Sequence, residues 1–145
     1  MHFLPVPPGG LAMAFSDVPP EQTLYVDGSV KRARLGGGAV LVAPEGESTR
    51  FWTFPQQSRD SNQAEILALL HALEWVLQMA PVRPTQVYTD SFELLRHLAK
   101  RTARYVGLIE LFPLFSSCQV VLLQNIANDR NKRADALARK ALGLI

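Results

Sequence analysis

The stretch TLYVDGSV, residues 23–30, places a carboxylate directly after a short apolar run. Residues 24–26 predict a strand that enters a core, and Asp27 and Gly28 follow it. One interpretation of Asp-Gly is a tight hairpin turn. The other is a strand that carries a carboxylate to the edge of a sheet, where ligands bind in α/β folds. The remaining acidic residues decide between the two.

Length and composition indicate a globular protein. The chain has 145 residues, of which 48% are apolar and 19% charged, which suits one domain with a hydrophobic core. No apolar run reaches membrane-spanning length, so we expect no membrane association. Cys118 is the single cysteine and cannot form an internal disulfide, which predicts a reducing, cytoplasmic location.

Residues 1–22 differ in composition from the rest of the chain. They contain five of the ten prolines and no lysine or arginine. This composition predicts a flexible leader without a core of its own. We therefore expect residues 23–145 to form the folded domain.

The spacing of apolar residues predicts an α/β fold. Strands are expected at residues 23–29, 36–43, 49–55, 85–89 and 119–123. Helices are expected at residues 62–79, 91–100, 104–115 (interrupted by Pro113) and 131–142. The first, fourth and fifth strands are separated by helices and should be parallel, whereas the second and third extend the sheet in antiparallel fashion. The prediction is a five-stranded mixed sheet flanked by helices.

Four carboxylates occupy informative positions in these elements. Asp27 and Asp90 each follow a parallel strand, so they should share one edge of the sheet. Glu65 shares a helix face with the apolar residues that pack on the sheet, unless it bends outward and favours the helix dipole. Asp135 lies one turn before Arg139, where a surface ion pair is the simpler interpretation.

Considered together, the four carboxylates predict a divalent metal site. Clustered carboxylates raise one another's pKa, and a cation removes that repulsion. Oxygen ligands favour Mg²⁺ or Mn²⁺ over zinc. A zinc site is not expected, because His2, His71 and His97 are scattered along the chain.

Basic residues gather in three groups, which either contact phosphates or form an ordinary solvated surface. The groups are Lys31, Arg32 and Arg34; Arg96, Lys100, Arg101 and Arg104; and Arg130, Lys132, Arg133, Arg139 and Lys140.

From Thr23 onward the chain resembles the type 1 ribonuclease H domain. The matching motifs occur in the family's order and are YVDGS, LGGGAVLV, SNQAE, YTDS and NKRADALA. They contain Asp27, Glu65, Asp90 and Asp135 in turn. One such motif alone is weak, but several in order, each on the expected element, make a strong resemblance.

The resemblance implies an endonuclease that cleaves the RNA strand of RNA/DNA hybrids. The four carboxylates would hold two Mg²⁺ ions, for which Mn²⁺ can substitute, to activate a water and stabilise the leaving 3′-oxygen. Asp27 would bridge both ions, Asp90 and Asp135 would hold the nucleophile-generating ion, and Glu65 would hold the other. The residues expected to bind substrate are Gly28, Ser29, Asn62, Ser91 and Asn131. We expect the enzyme to act as a monomer.

The sequence also departs from the family pattern. The segment NIANDRNKRAD lacks the histidine that many relatives have before the last motif, and no long basic protrusion follows Asp90. Phe92 stands where the family often has a polar residue. These departures keep two alternatives open: a nuclease of the same fold with another nucleic-acid substrate, and a non-catalytic nucleic-acid-binding module.

Overall fold

The computed structural model describes residues 2–6, 10–79 and 81–145. The strands are β1 (His2–Val6), β2 (Gly10–Ala14), β3 (Gln22–Lys31), β4 (Arg34–Ala43), β5 (Gly46–Gln57), β6 (Thr85–Thr89) and β7 (Val120–Asn125). The helices are α1 (Ser61–Gln78), α2 (Phe92–Lys100), α3 (Leu108–Ser117) and α4 (Lys132–Ala141).

In these described ranges the strands form one mixed sheet in the order β1-β2-β7-β6-β3-β4-β5. β3, β6 and β7 run parallel, and the other neighbouring pairs are antiparallel. The α/β class and the mixed sheet are confirmed. The prediction of five strands is wrong, because the described part of the sheet has seven.

The two additional strands come from the N-terminal segment. β1 and β2 form an antiparallel hairpin, and β2 pairs antiparallel with β7. Met13 is fully buried in the main core, and the Phe15 ring lies 4.8 Å from the Phe115 ring. The prediction of a flexible leader is therefore wrong for residues 2–6 and 10–14, since β2 pairs with β7 and buries Met13 in the core, and β1 pairs with β2.

Helix α1 packs one face of the sheet and organises the main core. Asp60 is its N-cap, with the side chain accepting a hydrogen bond from the Asn62 backbone N–H at 2.9 Å. The buried α1 residues include Ile66, Leu69, Leu73 and Val76. None of the helices in the described ranges is long and apolar enough to cross a membrane.

Helix α4 packs closely against the glycine-rich strand β4. A Cβ atom on Gly38 would lie 2.6 Å from the Ala134 carbonyl oxygen, and one on Gly36 would lie 2.9 Å from that of Ala138. Side chains at these two positions would push α4 away from the sheet. The glycines therefore place the first turns of α4, which include Asp135, beside β3 and β4.

The helix predicted at residues 104–115 begins later and has no interruption. Gly107 is its N-cap and has φ of 90°, so the chain turns there before α3 starts. Pro113 lies inside α3. The predicted start at residue 104 and the break at Pro113 are therefore wrong.

Candidate metal centre

Asp27, Glu65 and Asp90 meet at one edge of the sheet. Each offers a carboxylate oxygen, and these oxygens all lie within 4.8 Å of one another. The three residues come from β3, α1 and the end of β6 respectively, so the cluster depends on how these elements pack. Residues that are 25 to 63 positions apart in sequence are brought together.

Asp27 lies within β3 and not at its end. It is 5% exposed, it is the register partner of Gly38, and β3 continues to Lys31. The hairpin turn lies further on, at Arg32 and Ala33. Interpreting Asp27 as a turn residue is therefore wrong, and its carboxylate is held in the middle of a regular ladder.

Glu65 turns inward, because α1 approaches β3 very closely. The Glu65 carboxylate is 7% exposed and accepts a hydrogen bond from the Gly28 backbone N–H. A Cβ atom on Gly28 would lie 2.5 Å from the Ala64 carbonyl carbon. Glycine at position 28 therefore makes room for α1, and the alternative in which Glu65 bends out to solvent is wrong.

Asp90 is held between the end of β6 and the start of α2. Ser91 donates its backbone N–H to Thr89 Oγ1, and its own Oγ accepts from the Leu94 backbone N–H, both at 3.1 Å. Ser91 is the N-cap of α2. These bonds fix the backbone on the C-terminal side of Asp90.

Asp135 and Asn131 reach the cluster from the start of α4. Asp135 lies close enough to the cluster for its charge to raise the pKa values of Glu65 and Asp90, although it is not among the three carboxylates whose oxygens lie within 4.8 Å of one another. Asn131 is 1% exposed and donates its side-chain amide to the Val26 carbonyl at 2.9 Å. Asn131 thereby ties α4 to β3 one residue before Asp27.

The two remaining sequence-predicted substrate contacts, Ser29 and Asn62, are both half-buried. Ser29 lies two residues after Asp27 on β3, and Asn62 lies three residues before Glu65 on α1. Both residues therefore lie within three sequence positions of a carboxylate of the cluster.

Sequence reasoning missed two residues that hold the start of α1. Gln63 forms two hydrogen bonds with the backbone of Val106, at 2.8 and 3.0 Å. The Tyr105 hydroxyl donates to the Asp60 carboxylate at 2.7 Å. Because these partners are more than forty residues apart, no local motif could have revealed them.

The electrostatics of the cluster favour a bound cation. Burial raises the pKa of the Asp27 carboxyl well above its usual range, and the charge of Glu65 raises it further. Burial also raises the pKa values of Glu65 and Asp90. Carboxylates this close share protons unless a cation neutralises them.

The donor set also has suitable dimensions for Mg²⁺. Oxygen ligands lie about 2.0–2.1 Å from Mg²⁺, so opposite ligands of one ion are about 4.2 Å apart. The three carboxylate oxygens all lie within 4.8 Å of one another, which is close enough for them to serve as ligands of one such ion. Asp27, Glu65 and Asp90 therefore offer a set of oxygen ligands that suits a divalent cation.

Comparison with known proteins gives one family and a consistent set of folds. The family model described as "Reverse transcriptase-like" matches residues 25–141. A search of curated proteins found no match.

Solved structures of ribonucleases H resemble the chain. RNase H1 from the halophilic archaeon Halobacterium salinarum NRC-1 is 25% identical, with a TM-score of 0.70 over 84% of this chain and 97% of that one. The N-terminal RNase H domain of a Mycobacterium tuberculosis protein is 19% identical, with a TM-score of 0.65 over 86% and 95%. LC11-RNase H1, solved with an RNA/DNA hybrid, is 19% identical, with a TM-score of 0.69 over 84% and 96%.

Proposed function

Because the chain belongs to the reverse-transcriptase-like family and has the ribonuclease H fold, we propose that it cleaves the RNA strand of RNA/DNA hybrids. The observation that carries this proposal is the meeting of Asp27, Glu65 and Asp90 within 4.8 Å. A non-catalytic binding module has no need for buried carboxylates that repel one another. The cluster therefore favours an enzyme that uses divalent cations.

The four carboxylates are proposed as the ligands of two Mg²⁺ ions, with Mn²⁺ as a substitute. Two such ions, when bound, would lower the pKa of a water and stabilise the charge on the leaving oxygen. Asp27 is the proposed shared ligand, because Glu65, Asp90 and Asp135 all act on its carboxyl group and raise its pKa. Asp90 and Asp135 are assigned to the nucleophile side, and Glu65 to the other side.

Recognition of RNA is assigned to groups that surround the cluster. A ribose 2′-hydroxyl both donates and accepts hydrogen bonds, and it distinguishes RNA from DNA. Proposed contacts are Gly28, Ser29, Asn62, Ser91 and Asn131. The Gly28 N–H donates a hydrogen bond to the Glu65 carboxylate. A ribose 2′-hydroxyl bound beside Gly28 would therefore also lie near Glu65.

The catalytic unit is proposed to be residues 23–145, acting as a monomer in the cytoplasm. Every carboxylate of the cluster lies in this part of the chain. Burial raises the pKa of the Cys118 thiol to about 12, and this unreactive thiol fills core space. A reducing compartment suits a buried thiol of this kind.

A cleavage assay on matched substrates tests the proposal. RNA/DNA hybrid, double-stranded RNA, single-stranded RNA and double-stranded DNA of one sequence are incubated with Mg²⁺, Mn²⁺ or EDTA. The expected result is cleavage of the RNA strand of the hybrid with either metal and none with EDTA. If pure protein cleaves no substrate with either metal, the proposal that it is an enzyme is refuted. If it cleaves another duplex preferentially, it is a nuclease with a different substrate.

A further inference from the structure

The turn between β3 and β4 has an unfavourable backbone conformation for its residues. Arg32 has φ of 51° and Ala33 has φ of 64°, so both lie in the left-handed region. Two-residue hairpin turns of this kind are normally built from asparagine, aspartate and glycine, because a Cβ atom is disfavoured there. Neither arginine nor alanine is favoured in this turn.

Four exposed cations surround this turn. Lys31, Arg32 and Arg34 are exposed at the hairpin, and the Ser58 backbone N–H donates to the Ala33 carbonyl at 3.0 Å. That bond brings the exposed Arg59 beside the hairpin. We call Lys31, Arg32, Arg34 and Arg59 the basic tip.

The basic tip is not neutralised by the rest of the described structure. The salt bridges recorded for residues 2–6, 10–79 and 81–145 pair Arg83 with Glu45, Arg96 with Glu93, and Arg133 with Glu47. None of them includes a residue of the basic tip. Four unpaired cations at one end of a hairpin repel one another and attract a polyanion.

The strand geometry fixes the distance between the basic tip and the carboxylates. Arg32 follows Asp27 by five residues, and β3 is regular up to Lys31. At about 3.4 Å per residue this separation is about 17 Å. A duplex carries one backbone phosphate per nucleotide on each strand, so a duplex held at the carboxylates also has phosphates about 17 Å away.

We infer that the basic tip binds backbone phosphates of a nucleic-acid duplex about 17 Å from the position held at the carboxylates, with Arg32 as a phosphate contact. This inference rests on the proposed nucleic-acid substrate. Phosphate binding explains why an arginine occupies position 32, where glycine would adopt the left-handed backbone conformation more easily. The Arg32 charge supports binding at the expense of turn stability.

Two neighbouring glycine substitutions separate these effects. Arg32→Gly and Ala33→Gly each relieve a left-handed residue, and both should raise the melting temperature by a few degrees. Only Arg32→Gly removes a charge. Arg32→Lys keeps the charge and serves as the conservative variant.

The readout is the affinity for an RNA/DNA hybrid as a function of salt, measured by fluorescence anisotropy. Ca²⁺ replaces Mg²⁺ in the binding buffer, because its looser coordination fills oxygen sites without the octahedral geometry of Mg²⁺. One lost phosphate contact should lower the slope of log affinity against log salt by about 0.9, which is about an eightfold loss at about 0.1 M salt. We expect this change in Arg32→Gly, and wild-type slopes in Ala33→Gly and Arg32→Lys.

An unchanged salt slope in Arg32→Gly would overturn the inference, and so would a wild-type protein that does not bind the hybrid. The cleavage assay distinguishes this failure from failure of the proposed function. If the wild-type protein cleaves hybrids and Arg32 makes no contribution to binding, the proposed function is supported and the inference is contradicted. A wild-type protein that binds hybrids through Arg32 but does not cleave them would support the inference and contradict the proposed function.

Discussion

Two regions of the same sheet have opposite effects on stability. One is the carboxylate cluster (Asp27, Glu65, Asp90 and Asp135), and the other is the N-terminal hairpin (β1 and β2). β2 and β3 are three strand positions apart, which is about 14 Å. The cluster places carboxyl groups where burial disfavours their charge, whereas the hairpin places Met13 in the core. The difference indicates that the cluster lowers the stability of the metal-free protein and the hairpin raises it.

The sharpest test of this contrast is Asp27→Asn. The shared ligand is lost, so we expect single-turnover cleavage of an RNA/DNA hybrid to fall by at least about 1,000-fold. Removing a buried acid from a repelling group should also raise the free energy of unfolding of the metal-free protein, by about 1 kcal/mol. Urea unfolding in EDTA measures this second effect.

Asp129→Asn is the matched control, because Asp129 is an exposed acid in the short turn before α4. We expect its cleavage rate and stability to stay near wild-type values. If Asp27→Asn were active, or less stable than wild type, the cluster would not be a strained metal site.

Gly28→Ala tests whether close packing by α1 builds the cluster. The added methyl group would meet the Ala64 backbone at 2.5 Å, and backbone atoms cannot move aside as a side-chain tip can. We expect a loss of about 3 kcal/mol in the free energy of unfolding, together with loss of cleavage, since α1 must shift and take Glu65 with it. Ser29→Ala, one residue along β3, should have little effect on stability. A stable, active Gly28→Ala protein would show that β3 and α1 approach less closely.

Met13→Ala tests the hairpin side of the comparison. Met13 is fully buried, so the substitution should lower the free energy of unfolding by about 2–3 kcal/mol through the cavity it leaves. Leu4→Ala, in the 40% exposed position of β1, should cost under about 0.5 kcal/mol. The kcat of both variants should remain near wild type at temperatures where they stay folded. A large drop in kcat for folded Met13→Ala would show that the hairpin also supports the site.

The sequence was informative about the cluster because its signals are local. Asp27 and Asp90 follow apolar runs with strand character, and Glu65 lies on a helix with a clear apolar face. Each element could therefore be predicted from its own residues, and the expected positions of α1 and β6 agree with the structure to within one residue. The α/β class followed from the order of these elements.

The hairpin and the close contacts were missed because their partners are distant in sequence. β2 becomes a strand by pairing with β7, more than 100 residues later, and the prolines on either side of it favoured a flexible segment instead. The need for glycine at position 28 arises from the backbone of Ala64, which no local pattern reveals. The start of α3 depends on the left-handed backbone of Gly107, which propensity alone did not indicate.

The last expected effect concerns pH, and it applies to the metal-free protein. Burial raises the pKa of Asp27, Glu65 and Asp90, so the folded state holds protons that the unfolded state releases above about pH 4. Stability from these groups is therefore complete at low pH and is lost as pH rises, by up to about 1.4 kcal/mol per pH unit for one retained proton. Urea unfolding in EDTA at about pH 5, 6 and 7 measures how the free energy of unfolding changes with pH. This pH slope should be shallower in Asp27→Asn, and it should diminish when Mg²⁺ is added to the wild-type protein. The N-terminal hairpin supplies no such titrating group from residues 10–14, so Met13→Ala should keep the wild-type slope while lowering the whole curve. A slope that is unchanged in Asp27→Asn would mean that acids outside the cluster control the pH dependence.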